Sequence, residues 1–304
     1  VDQWLMTVFN APDTPYTRAV GRRWLISCVA RALRPGCQVD HVLTLEGLQG
    51  KGKSSALRAL CPDEDLFFDS ELSIGDKDAI QVLRGKWIIE LGELSSLNRH
   101  EIQVVKAFIT RRIDTYRPSF GRRPVDAKRR FAFSASTNEE EYLKDPTGNR
   151  RWWPVKVHGP VDVPSVEKHR DQLWAEALEL FESGQPWHLE TEELRALAAD
   201  EQSQREPDDV WSPRVGAWLA LRLQNAEAEH AKPRHPEHAC PCIYCAGVTT
   251  TAVLECAVKV TVEKQDKAQE MRVANILRRA NWTKAEKRVT QDDGSRVRPF
   301  YPST

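Results

Sequence analysis

Net charge and long apolar runs are both missing from this 304-residue sequence, and each absence excludes a class of function. Lys and Arg number 44 and Asp and Glu number 44, so the formal net charge is +0. No global field draws the chain to nucleic acid, and any such contact must come from a local patch. No apolar stretch reaches the roughly 18 residues of a membrane-crossing helix, and no signal peptide is recognisable. The expectation is a cytoplasmic protein with no membrane partner. An initial methionine is also absent: the chain starts at Val1 inside an apparent helix, which reads as an excised fragment of a longer protein. The seven cysteines are scattered and clustered, and they read as reduced thiols rather than a disulfide framework. The length suits one large or two to three small domains.

What is present is organised around His41 to Leu60, HVLTLEGLQGKGKSSALRAL. It contains Gly47-x-x-x-x-Gly52-Lys53-Ser54, a complete phosphate-loop signature, with an apolar β run (Val42 to Leu45) before it and a helix-period run (Ala56, Leu57, Leu60) after it. Gly47, Gly50 and Gly52 let successive backbone N–H groups turn inward to phosphate oxygens, and the helix starting near Lys53 adds its positive end. Lys51 and Ser55 complete the nucleotide-binding set. Lys53 is expected at the β- and γ-phosphates of ATP, and Ser54 in the Mg²⁺ shell. A mere glycine-rich surface turn would need neither the lysine nor the serine.

Upstream, residues 1–37 read as helical, with Val20, Trp24, Leu25, Cys28, Val29 and Leu33 on one face and Pro35-Gly36 ending the run. Packing is the expected role of this segment. Downstream, GKWIIELGEL is a hydrophobic strand ending in carboxylates. Such an enzyme needs one carboxylate for the Mg²⁺ shell and another to polarise the attacking water. Glu90 and Glu93 are the candidates, and their spacing of three leaves open which one sits at the metal. Asn98 and Glu101 form a capping box for a helix whose buried face is Ile102, Val105, Phe108 and Ile109.

Residues 111–130 then carry eight basic and two acidic side chains, a local net of +6. Tyr116 and Phe120 are interleaved with them, and Pro118, Gly121 and Pro124 argue for a loop or hairpin. Arg117, Arg122, Arg123 and Lys128 are the expected contacts to a DNA backbone; a solvated charged face is the plainer reading of such a run. RFAFSASTN is a second buried strand, ending at Asn138, an amide suited to orienting the attacking water. Arg150 and Arg151, in a turn before Trp152 and Trp153, can supply an arginine finger. A capped turn that only packs its tryptophans is the alternative, and both can hold at once.

The remainder has a different pattern. Asp171 to Phe181 reads as an amphipathic helix, followed by a polar, proline-marked linker to about Trp211. Val248 to Val258 and Lys267 to Ala280 read as two helices, and KRVTQDDGSRVRPFY as a hairpin turning at Asp292-Asp293-Gly294. Helix, helix and hairpin suggest a small winged helix. Lys284, Lys287, Arg288, Arg296 and Arg298 lie on or near its wing, and these basic residues favour DNA over protein as its partner; Lys287 and Arg288 are the candidates singled out. Before it, His235, His238, Cys240, Cys242 and Cys245 could supply a Cys₃His zinc site. Structural zinc sites draw their ligands from two separated pairs, so a surface loop of reduced thiols is the preferred reading.

Together, WLISCVARALRPGCQVDHVLTLEGLQGKGKSS, GKWIIELGEL, STNEEEYLKDPTGNRRWWPV and DQLWAEAL resemble the virulence-associated E family, a branch of the superfamily III helicase-like AAA+ ATPases of phages, plasmids and pathogenicity islands. They run in the family's order over roughly residues 20 to 180. The resemblance implies a ring-forming, hexameric ATPase in a prokaryotic host, assisting replication of a mobile element, often beside an upstream primase domain. No primase motif is visible in this sequence. By the same resemblance Lys53 and Ser54 are Walker A, Glu90 and Glu93 cover Walker B, Asn138 is sensor 1, and Arg150 or Arg151 is the finger acting on a neighbour's nucleotide. Residues 111–130 fall where superfamily III enzymes carry their pore hairpin.

The resulting expectation is an α/β fold: a P-loop AAA+-type ATPase core (38–157) with an N-terminal helical segment (1–37), a helical segment and linker (158–210), and a C-terminal winged-helix-like domain with a Cys/His insertion (211–304). The expected function is an ATP-dependent DNA helicase or translocase working on single-stranded or forked DNA, with ATP and Mg²⁺. The alternatives are a non-translocating, ATP-gated DNA-binding or recruitment factor, and a scaffold that has kept only the fold.

Overall fold

A computed structural model describes residues 1–70, 77–92, 99–118, 121–143, 148–230, 247–287, 289–290 and 296–302. The chain forms two compact units, Val1–Pro207 and Asp208–Thr304. Among the described residues no helix is long and apolar enough to cross a membrane.

The first unit is built on a five-stranded parallel sheet. Its strands are β1 (Val42–Glu46), β2 (Phe67–Phe68), β3 (Ile88–Leu91), β6 (Ala132–Thr137) and β7 (Trp152–Lys156), in the spatial order β2-β3-β6-β1-β7. A hairpin of β4 (Ile113–Tyr116) and β5 (Val125–Lys128) stands apart from the sheet. A strand's side chains alternate between faces, and here that alternation sorts the core into two layers. Leu43, Leu45, Ile88, Ala132, Trp153 and Val155 pack on one side, against α1 (Trp4–Phe9), α2 (Pro15–Leu33), α3 (Lys53–Ala59), α6 (Val163–Glu182) and α7 (Glu192–Ser203). Val42, Ile89, Phe133, Ala135 and Trp152 pack on the other, with Val105, Phe108 and Ile109 of α5 (Arg99–Thr110). Near that layer lies the short α4 (Lys77–Val82). Pro154 fits because β7 pairs on one side only, where its missing N–H breaks no second ladder.

Thr14 starts α2 by accepting from the Thr17 N–H, with Pro15 in the first turn. The helix is buried nearly all round, and Trp24 Nε1 donates to Phe133 O at 2.8 Å. The expected packing role of residues 1–37 is what the helix performs. They are nevertheless no separate domain, since α1 and α2 share one core with the sheet and with α6 and α7. The expected linker is likewise corrected. Residues 192–203 form α7, which buries Ala198 and Gln202. Three of its five apolar residues are alanines (Ala196, Ala198 and Ala199, beside Leu194 and Leu197), so its apolar stripe is weak in sequence.

In the second unit, α8 (Ser212–His230), also unforeseen, precedes α9 (Thr250–Val253), which continues as a π turn over Leu254–Val258, and α10 (Lys267–Arg279). Asp266 and Gln269 close a capping box at the start of α10. The short antiparallel pairs β8 (Trp282–Lys284) with β11 (Phe300–Pro302) and β9 (Val289–Thr290) with β10 (Arg296–Val297) follow. Val215, Leu219, Val253, Leu254, Val273, Leu277, Trp282 and Phe300 form its own core. The two helices and the hairpin read from sequence are therefore present. The proposed turn at residues 292–294 lies outside the described residues.

The β4–β5 hairpin is anchored by a buried ion pair. Arg129 donates from Nε and Nη2 to the two Asp114 carboxylate oxygens, at 2.6 Å each, and from Nη1 to Phe108 O at 2.6 Å, with the guanidinium 4.2 Å from the Phe108 ring centre. Removing one partner leaves a buried charge uncompensated, at a cost of about 3–5 kcal/mol. Arg129→Ala is therefore expected to lower unfolding free energy by that order in a denaturant titration. Adding Asp114→Ala should recover part of the loss; a double variant no more stable than the single would show that the pair is not the anchor.

Candidate functional site

The loop from Gly47 to Gly52 joins β1 to α3, and its glycines sit where other residues are strained: φ is +155° at Gly47, +74° at Gly50 and +89° at Gly52. A Cβ on Gly47 would also stand 2.8 Å from Val157 O. The loop entrance is pinned on both flanks. The Gly47 N–H donates to Thr137 O at 3.1 Å, and the Val157 N–H to Glu46 O at 2.7 Å. Lys53 is buried and folds back, Nζ donating to Gly47 O at 2.6 Å and Leu48 O at 3.0 Å. Burial holds its pKa below the ordinary lysine value, against the attraction of Glu90. Lys51 and Ser55 are exposed beside it.

β3 delivers Glu90 to the same place. Ser54 Oγ donates to Glu90 Oε1 at 2.8 Å, while Oε2 is buried with no hydrogen-bond partner among the described residues. Burial raises the Glu90 pKa above the usual carboxylate range; the hydroxyls of Ser136 and Ser54 pull it partly back, and only Ser54 makes a full hydrogen bond. A hydroxyl beside a carboxylate with one orphaned buried oxygen is a hard-oxygen donor set of the kind Mg²⁺ takes. Of the two expected carboxylates, Glu90 is thus the one brought to Ser54, and Glu93 lies outside the described residues. Asn138 is exposed just past β6, the strand lying between β1 and β3, and next to Thr137, whose carbonyl holds Gly47.

The two candidate finger arginines separate. Arg151 is tied down, Nε donating to Thr110 Oγ1 at 3.1 Å and Nη1 to Gly148 O at 3.4 Å. The Arg150 side chain is 78% exposed, with Asp40 at 4.0 Å. It projects beside a cleft of about 580 Å³ lined by His41, Trp153, Trp187, Leu189 and Arg195 among others. Burial pushes His41 down to about 3, so the ring stacked 3.8 Å from Trp153 is neutral. Both arginines precede β7, and β7 runs parallel to β1 with Trp152 opposite Val42 and Lys156 opposite Glu46. Arg150 and the chain's own phosphate loop therefore lie at opposite ends of the sheet, roughly 13 Å of strand apart before either loop is counted.

Sequence reasoning missed a buried network at the loop entrance. Arg205 donates from Nε and Nη2 to the two Glu46 carboxylate oxygens, at 2.7 and 3.0 Å, and Tyr142 Oη donates to Glu46 Oε1 at 2.8 Å. Burial alone would lower the Arg205 pKa, but the bond and charge of Glu46 outweigh it and raise it. The one sequence signal was a carboxylate closing an apolar strand, a position that demands a partner.

On the hairpin, Arg117, Arg122, Arg123 and Lys128 are all exposed. Lys284, Lys287, Arg296 and Arg298 are exposed on the second unit, while Arg288 lies outside the described residues, as does the whole His235–Cys245 cluster. Among the described residues, no group of His, Cys, Asp and Glu could hold a metal by itself.

Residues 1–207 match the family model described as the virulence-associated protein E-like domain. No curated protein matches at a significant level. Among solved structures, the chain is similar to an apo structure of the NrS-1 C-terminal region at 14% identity and TM-score 0.51, covering 99% of this chain and 74% of that one. An A-form apo structure of the same region gives 15% identity and TM-score 0.54, over 99% and 75%. At such identities the likeness establishes the fold alone.

Glu90 yields a pH-dependent prediction. A carboxyl whose pKa is raised by folding contributes stability in full below its unfolded value, near 4.5, and loses it as pH rises through the folded value. At neutral pH the buried charge therefore works against the fold. Glu90→Gln should raise the Tm at pH 7, and the gain should vanish below about pH 4.5. An equal or lower Tm at pH 7 would contradict the assignment.

Proposed function

We propose, for a chain that belongs to the virulence-associated protein E-like family, an ATP-hydrolysing motor of the superfamily III kind that works as a ring of copies on single-stranded or forked DNA. The observation that carries this reading is the split of one active site between two ends of the sheet: Ser54 and Glu90 meet at the phosphate loop, while Arg150 stands exposed at the far end. A single copy holds both halves but cannot close them on one nucleotide. A ring gives each phosphate loop the Arg150 of its neighbour.

Within one copy, ATP would draw Lys53 off the Gly47 and Leu48 carbonyls and onto its phosphates. Ser54 and Glu90 would hold Mg²⁺, which when bound neutralises phosphate charge. Asn138, next to the loop, would orient the attacking water, and Glu93 would polarise it. Arg150 of the adjacent copy would stabilise charge in the transition state, an effect that in such enzymes is worth about 10³–10⁵ in turnover. Arg151 takes the supporting part, holding the turn through Thr110 and Gly148.

The β4–β5 hairpin is the proposed DNA contact, because its buried Arg129–Asp114 anchor leaves Arg117, Arg122, Arg123 and Lys128 free at the surface. The second unit, with helices α9 and α10 followed by short antiparallel pairs, is read as winged-helix-like, and Lys284, Lys287, Arg296 and Arg298 are its basic face.

Lys53→Ala should abolish ATP hydrolysis while the circular-dichroism spectrum stays that of the wild type; turnover within a few-fold of wild type would remove the assignment. Replacing Arg117, Arg122, Arg123 and Lys128 with alanine should weaken single-stranded DNA binding. Its log K against log salt slope should flatten by roughly 0.7 for each lost contact. An unchanged slope would return the hairpin to a merely solvated face. Strand displacement on a forked substrate, present in the wild type and lost with the hairpin variant, distinguishes a motor from an ATP-gated recruitment factor.

A further inference from the structure

The last turn of α7 and the residues after it touch three parts of the proposed site at once. Arg205 reaches Glu46, the residue just before Gly47, and its carbonyl accepts from the Leu143 N–H at 3.0 Å in the segment after Asn138. Gln202 Nε2 donates to Trp152 O at 2.7 Å, at the start of β7. Glu206 accepts from Asn149 Nδ2 at 2.7 Å, and Asn149 is the chain neighbour of Arg150. Arg205 also holds Glu201 through Nη1 at 2.5 Å, and both it and Glu46 are more than nine-tenths buried. A bidentate guanidinium–carboxylate pair fixes direction as well as distance, and a buried one has no water to take its place.

We infer that Arg205 is a positioning residue that couples the phosphate loop of a copy to the arginine finger that the same copy offers its neighbour. The inference rests on the ring reading above and adds to it a path through the subunit. When nucleotide shifts Lys53 and the Gly47–Leu48 backbone, Glu46 is one bond away and carries Arg205 with it. Gln202 and Glu206 then pass the displacement to the turn that bears Arg150. The path runs along the end of α7 beside the adjacent strands β1 and β7, with Gln202 reaching Trp152 and Arg205 reaching Glu46. Occupancy of one site thereby sets the finger presented to the next, which makes ATP turnover cooperative around the ring.

The test uses the full chain and two variants. Glu46→Gln/Arg205→Met removes both buried charges together, so neither is left unpaired. Asn149→Ala leaves that pair intact and cuts only the bond to Glu206. Melting temperature, affinity for a non-hydrolysable ATP analogue with Mg²⁺, and the ATP dependence of turnover are read for each. The wild type should show a Hill coefficient above one. The double variant should melt within a few degrees of it and bind the analogue within about threefold, yet lose about tenfold in kcat and fall to a Hill coefficient of one. Asn149→Ala should also fall to one, whether or not the double variant folds. A purely structural network would give wild-type kcat and cooperativity once the fold is intact, and that result overturns the inference alone. A wild type with a Hill coefficient of one and a rate independent of protein concentration overturns the ring reading and the inference with it.

Discussion

The parallel register of β1 with β6 and β7 is the constraint from which the rest follows. Parallel strands put every C-terminal end on one side of the sheet. The phosphate loop after β1 and Asn138 after β6 therefore come together, with Glu90 on β3 reaching the same end. The same rule sends Arg150, which precedes β7, to the opposite side. Local flexibility cannot bring it back, because Trp152, Trp153 and Val155 are buried in the core and Arg151 is bonded to Thr110. On the proposed reading, a site with the phosphate loop, Glu90 and Asn138 at one end and Arg150 at the other would be completed by a second copy.

Three of the buried charges beside that sheet, Arg129, Glu46 and Glu90, are handled in two ways. Arg129 is fully paired with Asp114 and braces the hairpin. Glu46 is fully paired with Arg205 and Tyr142 and braces the loop entrance. Glu90 alone is left with an oxygen unsatisfied, and it is the one beside Ser54. An uncompensated buried oxygen costs stability, and a cation would relieve it. The contrast sets Glu90 apart from these two structural pairs, as the proposed Mg²⁺ role requires.

Much of this was legible in the sequence, for reasons that differ by element. Gly47, Gly50, Gly52, Lys53 and Ser54 are close in sequence, so spacing alone carried their geometry. Pro118, Gly121 and Pro124 exposed the hairpin because they exclude a helix across residues 111–130. What stayed hidden depends on pairing across distance. Glu46 and Arg205 are 159 residues apart, and no local pattern names one as the other's partner. The difference between Arg150 and Arg151 also needed the fold, since Thr110 and Gly148 hold Arg151 while Arg150 stands exposed. Helix α7 was read as linker because its apolar stripe is mostly alanine, although Thr191 accepting from the Leu194 N–H is an ordinary cap.

The central claim is that one active site is made from two copies, and subunit mixing tests it most directly. Lys53→Ala keeps Arg150 but lacks the phosphate-binding lysine; Arg150→Ala keeps the lysine but lacks the finger. Each alone should be nearly inactive. Mixed under conditions where subunits exchange, they should recover partial ATP turnover, because one type of interface then joins an intact Lys53 to an intact Arg150. Mixtures no more active than the sum of their parts would mean that the arginine acts within its own chain or only as structure, and the composite site would have to be given up.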